Sequence, residues 1–300
     1  MKDKARMKRN RQIPAILLCA IGVAGIAISA WLCISHVQTA RQVAVRKDFL
    51  ARFGMDSDGK TEFVSLPKAL VHNALSARLG EELFTDRRLA RSPYRACGAC
   101  HRLNEGGIDA RALDGRLPRT VYNAIFADVY LHDGSVTGFP ALVRHMIESP
   151  NHCAGGPISN VVARLSADEK LSKRFQTAYK DGLTEYNVID AFGQYQRTLF
   201  TSGKPFDHWC DGRTNALDAV QAKGFAIFRE RKCSDCHYGP ALGTLKVVDG
   251  KKVPGLRGIS MRRAYLPDAR TDLGAVLTLM PEGDVDEEER RALTAFLKTL

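Results

Sequence analysis

Two copies of one short pattern constrain this chain most: CGACH at residues 97–101 and CSDCH at residues 233–237. Each sets two thiols three positions apart with an imidazole directly behind them. In an exported chain that grouping is the attachment signature of a c-type haem. Each thiol adds to one vinyl group of the porphyrin, and the tether delivers the adjacent imidazole to one face of the iron. A four-cysteine zinc site is the alternative use of two Cys-x-x-Cys pairs, but it does not call for a histidine after each pair. The pattern predicts two covalently bound c-type haems, one on Cys97, Cys100 and His101 and one on Cys233, Cys236 and His237.

Export is read from the N-terminus. Residues 1–12 carry six Lys or Arg against one Asp, and residues 13–34 then run for 22 positions without a charge. Such a run is long enough to cross a bilayer as one helix, and the basic flank sets the N-terminus in the cytoplasm. The expectation is a single-pass inner-membrane anchor over residues 1–35 with the remainder in the periplasm. A cleaved signal peptide ending near Ser29 and Ala30, leaving a soluble periplasmic protein, is the alternative. Of the net charge of +11, five units belong to the first 12 residues. The other six are spread along the chain without a dense basic run interleaved with aromatics, which speaks against nucleic acid as a partner. At 300 residues and 45% hydrophobic, the chain can build two ordinary cores.

Beyond the anchor, residues 36–66 are mixed and polar and read as a linker. Helical patterns follow. Residues 69–84 space Leu75, Leu79 and Leu83 four apart on one face. Residues 188–200 do the same with Ile189, Phe192, Gln196 and Leu199, with Gln196 as the weak point. At the C-terminus Asp286 and Glu289 form a capping-box pattern ahead of a stripe of Leu293, Phe296, Leu297 and Leu300. Alternating patterns are scarce, although the Asp-Gly in LKVVDGKKV (245–253) suits one hairpin. Long Gly- and Pro-rich loops at 102–119 and 238–256 are of a length that usually wraps something. The fold class expected is all-α with long ordered loops: a haem domain over 67–212 and a second haem domain over 213–300.

The face of each iron opposite its histidine decides its chemistry: a thioether there raises the potential and closes the site, while an open face permits O–O chemistry. Met146 lies 45 residues after His101 and Met280 lies 43 after His237. Both follow related text, YLHDGSVTGFPALVRHM (130–146) and YLPDARTDLGAVLTLM (265–280), as if one module were used twice. Met also commonly fills core gaps.

From residue 76 onward the chain resembles the bacterial dihaem cytochrome c peroxidase and MauG family. The pieces, in order, are LGEELFTDRRLA, CGACH, TVYNAIF, YLHDG, YQRTLFTSGKPFDHW, CSDCH, VPGLRG and EERRALTAFLKTL. The resemblance implies two cytochrome c-like domains packed face to face. The C-terminal haem would store electrons and the N-terminal haem would meet hydrogen peroxide, with a small cytochrome c or cupredoxin as electron donor. MauG-like members oxidise residues of a partner protein instead. A dihaem electron carrier without peroxidase activity is a further alternative.

Carried over position by position, the resemblance implies Met280 as the axial ligand of the C-terminal haem. Tyr265 is the nearest downstream counterpart of the tyrosine MauG uses. The family's Trp-Asp-Gly between the haems reads His132, Asp133, Gly134 here, and its distal glutamate falls on His152. A histidine can carry a proton between peroxide oxygens at working pH; it can equally close the iron. In that register Met146 falls on a non-ligand position. Arg257, within the family's Leu-Arg motif, is expected at a haem propionate, with Arg95, Arg102 and Arg262 as further candidates. The family's calcium between the domains has a liganding Asn where this chain has Leu117. His145 is a lesser candidate at the haem; His36, His72 and His208 read as structural. Cys153 and Cys210, outside the haem motifs, could pair in an oxidising compartment.

Overall fold

A computed structural model describes residues 63–92, 95–108, 117–265, 271–280 and 284–300. The expected anchor and most of the expected linker lie outside these residues. No helix among the described residues is long and apolar enough to cross a membrane.

The described chain is mostly helical, with two short two-stranded ladders. The first core is built by α1 (Ala74–Thr85), the single turn α2 (Cys97–Cys100), α3 (Phe139–Glu148), α4 (Ile158–Ser166), α5 (Glu169–Ala178) and α6 (Glu185–Gln196). Asn73 starts α1 by accepting the amides of Leu75 and Ser76, and Thr184 starts α6 by accepting that of Asn187. The two helices cross at Gly80, where a Cβ would meet the Ala191 carbonyl oxygen at 2.0 Å. Leu79 and Leu83 are buried at this crossing, but Leu75, expected on the same stripe, is 50% exposed. It sits in the first turn, because the helix begins at residue 74 rather than 69. Gln196 is buried after all, its amide donating to the Val121 carbonyl at 2.6 Å. That bond removes the cost of a buried polar group.

The second core gathers α7 (Pro205–Cys210), α8 (Ala219–Glu230), α9 (Leu273–Leu277) and α10 (Glu287–Leu297). Capping boxes start α8 (Asp218 with Gln221) and α10 (Asp286 with Glu289). Leu293, Phe296, Leu297 and Leu300 are all buried, as their spacing requires. Phe206 stacks with Trp209 and meets Phe296 edge-on, so this core includes α7. Phe63 also belongs to it, edge-on to Phe206, Phe225 and Phe228 at 5.8, 5.1 and 6.3 Å. The end of the expected linker is thus a docked strap. Its Leu66 amide donates to Asp207 at 2.9 Å and its Val64 carbonyl accepts from Arg257 at 2.7 Å.

The expected hairpin forms as β3 (Val247–Val248) and β4 (Lys251–Lys252), turning through Asp249 and Gly250 at φ of 48° and 69°. Two consecutive positive φ angles are what an Asp-Gly hairpin turn needs. A second ladder, β1 (Val129–Tyr130) with β2 (Val136–Thr137), encloses the loop that carries His132. The hairpins meet: the Lys252 amide donates to the His132 carbonyl at 2.8 Å, and a Cβ on Gly134 would run into Val247. A loop of the first half is thereby held by the second.

Candidate active site

The single turn α2 brings Cys97 and Cys100 to one side, and His101 closes it by donating its amide to the Cys97 carbonyl at 2.9 Å. The His101 Nδ1 lies 3.3 Å from the Gly107 carbonyl. A carbonyl only accepts, so Nδ1 carries the proton and Nε2 keeps its lone pair. His237 repeats the arrangement, with Nδ1 3.1 Å from the Leu242 carbonyl. Burial pushes both imidazoles below their ordinary pKa, and the carbonyls offset this only in part. Each motif therefore offers two thiols and a neutral imidazole, the donor set that haem attachment needs. The zinc alternative does not fit, since Cys97 packs against the first core and Cys233 against the second. Among the described residues no group of three His, Cys, Asp or Glu is placed to hold a metal ion.

A cavity of about 1370 Å³ opens beside the first motif. Ordinary ligand pockets span ~300–1,000 Å³, so there is room for a macrocycle. Cys97, Cys100 and His101 line it together with His132, His145 and His152. Met146 lines it too, and Lys252 and Arg262 reach it from the second half.

His152 is the best-held of the three cavity histidines outside the haem motif. Its Nδ1 meets the Ser149 hydroxyl at 3.0 Å, its carbonyl accepts from Arg95 at 2.6 Å, and the His145 ring stands edge-on at 5.5 Å. Burial first, then His145 and Arg95, lower its pKa from 6.5. It is close enough to His101 to depress that residue's pKa as well. His132 is half-buried, its backbone fixed by Lys252.

A family profile described as di-haem cytochrome c peroxidase matches residues 74–215. The methylamine utilization protein MauG of Methylorubrum extorquens is 30% identical, over 98% of this chain and 96% of its own. This chain belongs to the di-haem cytochrome c peroxidase and MauG family. Cytochrome c peroxidase Ccp of Escherichia coli is 29% identical over 78% of this chain, which spans 60% of that longer relative. The fold agrees with a MauG-like protein associated with microbial copper homeostasis, at a TM-score of 0.66 and 18% identity. That match covers 78% of this chain and 94% of the other. The diheme peroxidase BthA of Burkholderia thailandensis gives a TM-score of 0.59 at 14% identity, covering 77% and 86% of the two chains.

As a member of this family of oxidoreductases the chain carries two covalently bound haems. Several residues expected near them have partners within the protein. Arg257 is 1% exposed and engages Asp207 at 2.6 Å, the Val64 carbonyl and the Pro240 carbonyl. Its guanidinium ties the strap to α7, and the residue also lines the His101 cavity. Cys153 and Cys210 are both free thiols. Cys153 lies beside Cys97 at the cavity, whereas Cys210 lies beside Arg257 in the second core, so the expected pairing is not formed. Met280 is half-buried just past α9, its amide on the Leu277 carbonyl at 3.1 Å, and Tyr265 packs against the second core. The preceding Pro267, Asp268 and Ala269 lie outside the described residues. Leu117 packs with Ile108 and Ala264 and offers no side-chain oxygen to a calcium ion.

Two cavity residues escaped the sequence reading, Arg119 and Lys252. Arg119 lies outside the motifs quoted above and Lys252 lies in the hairpin pattern at 245–253; only the meeting of the two halves brings them together. Arg262, one of several arginines near the haem motifs in sequence, joins them.

Proposed function

We propose that this chain is a di-haem peroxidase, held at the inner membrane by residues 13–34, that reduces hydrogen peroxide to water in the periplasm. Its electrons would come from a small cytochrome c or cupredoxin. Haem iron, when bound, supplies one-electron redox chemistry and a coordination face at which an O–O bond can be split. His101 and His237 would hold the two irons through Nε2, with Cys97, Cys100, Cys233 and Cys236 as the thioether links. Met280 would close the C-terminal centre and leave it to electron storage.

The observation that carries the proposal is that His152 shares a cavity with His101 while its Nδ1 is already engaged by Ser149. Its Nε2 is then the nitrogen left to take a proton from one peroxide oxygen and return it to the other. Ser149 and Arg95 hold the ring and the backbone so that this nitrogen keeps its aim. His132, on the loop gripped by Lys252, is the second candidate for proton delivery. The reaction consumes two electrons and two protons per peroxide, which two one-electron centres in one chain can match.

Spectroscopy of the half-reduced protein tests this reading. A high-spin ferric signal that binds cyanide and responds to peroxide is expected, and wholly low-spin spectra indifferent to peroxide would overturn it. That second outcome corresponds to an electron carrier, which one observation favours: Met146 also lines the cavity of His101. The near full-length match to MauG favours a third reading, oxidation of a partner protein.

A further inference from the structure

Arg119, Lys252 and Arg262 line one wall of the His101 cavity. Lys252 is 8% exposed, and the Nε of Arg119 is buried without a hydrogen-bond partner. Arg262 places Nη2 on the carbonyls of Gly255 and Arg257, at 2.8 and 3.0 Å. The three cations repel: the Arg119 charge acts against protonation of both Lys252 and Arg262. Burial dominates that effect, bringing Lys252 down to about 8 and Arg262 to about 10. The cavity lining contains one described carboxylate, Asp133, and it is bonded to the Ser135 amide.

Local contacts explain part of this arrangement. The Lys252 ammonium lies 5.4 Å from the Tyr130 ring centre, a cation–π distance, and the carbonyls partner Arg262. Neither supplies negative charge, and neither reaches the Arg119 Nε. Burying like charges together without an anion is strongly unfavourable. An occupant that answers them has at least two carboxylates on one edge and an apolar body, because Val121, Phe139 and Val143 also line the cavity.

We propose that Arg119, Lys252 and Arg262 form the anion site for the propionates of the haem attached at Cys97 and Cys100. Lys252 reaches this haem from β4 of the other half, so the haem carboxylates join the two halves across the cavity. The assignment rests on the di-haem reading above.

The test uses the purified, haem-loaded chain. Lys252→Met is compared with wild type by resonance Raman in the propionate-bending region and by the midpoint potential of the N-terminal centre, with covalent haem counted as pyridine haemochrome. The expected result is two haems in both proteins, a shifted propionate band in the variant and a lower potential, because a positive charge that favours the reduced state is gone. Lys252→Arg should restore both readouts, and Arg119→Gln should shift the band in the same direction if Lys252→Met does not fold. Two haems with an unmoved band and potential in both Lys252→Met and Arg119→Gln overturn this assignment alone. A wild-type chain with no haem on Cys97 and Cys100 overturns the di-haem reading and the assignment with it.

Discussion

A Cβ on Gly80 would lie 2.0 Å from the carbonyl oxygen of Ala191, and one on Gly224 would lie 2.0 Å from that of Ala292. Four residues beyond each alanine stands an aromatic residue, Tyr195 or Phe296, whose Cβ also presses on the glycine. The helix pairs α1 with α6 and α8 with α10 therefore share one crossing, used once in each half. The chain's repeat extends beyond its two haem motifs to the contact that organises each core.

Alanine at either crossing has to push two backbones apart. Gly80→Ala or Gly224→Ala should destabilise by at least the ~1–3 kcal/mol usual for overpacking, since the obstacle is a backbone carbonyl rather than a side chain. Urea titration of the haem-loaded protein measures this. A change within about 0.5 kcal/mol would be that of an ordinary surface substitution and would show that the helices slide freely.

Asp207 and Arg257 are 2% and 1% exposed, and together they fasten the strap at residues 64–66. Asp207→Ala leaves the guanidinium without its counter-charge, at a cost of about 3–5 kcal/mol. The Leu66 amide should lose its hydrogen-exchange protection at the same time. Replacing both partners, Asp207→Leu with Arg257→Met, should recover much of the stability; equal losses in the single and double variants would argue against the pair as the cause.

Peroxide turnover should fall by about 10²–10⁴-fold in His152→Ala, the usual contribution of a positioned acid–base group. Covalent haem should remain at two per chain. Turnover close to wild type would transfer the proton role to His132, for which His132→Phe is the matching variant.

The pH profile carries the same assignment. Burial, His145 and Arg95 all hold the His152 pKa below 6.5. The neutral, proton-accepting form therefore persists to lower pH, and the acid limb of the peroxide reaction should fall below pH 6.5. Arg95→Gln removes a cation that opposes protonation, so the limb should move up. A downward move would be incompatible with His152 as the group observed.

Thiol labelling addresses the cysteines. After unfolding without reductant, both Cys153 and Cys210 should react, because each is a free thiol in a different environment. A peptide containing both, joined until reduced, would contradict the structure.

Local features were legible in advance. The capping box at Asp286 and Glu289, the Asp249-Gly250 hairpin and the stripe ending at Leu300 each depend on a few neighbouring residues. Arg257 shows what such reading leaves out: its partners Val64 and Asp207 are separated from it by 193 and 50 positions. His145 shows the reverse, gaining its place beside His152 only because the chain turns at Ser149.

By itself the sequence determined the covalent chemistry, because thioether attachment requires two thiols and an imidazole at fixed local spacing, and no folding is needed to bring them together. Only the tertiary structure decided which charges face the first haem site. Arg119 is remote in sequence from Lys252 and Arg262, and the repulsion among them becomes a constraint only when packing removes the water that would otherwise screen it.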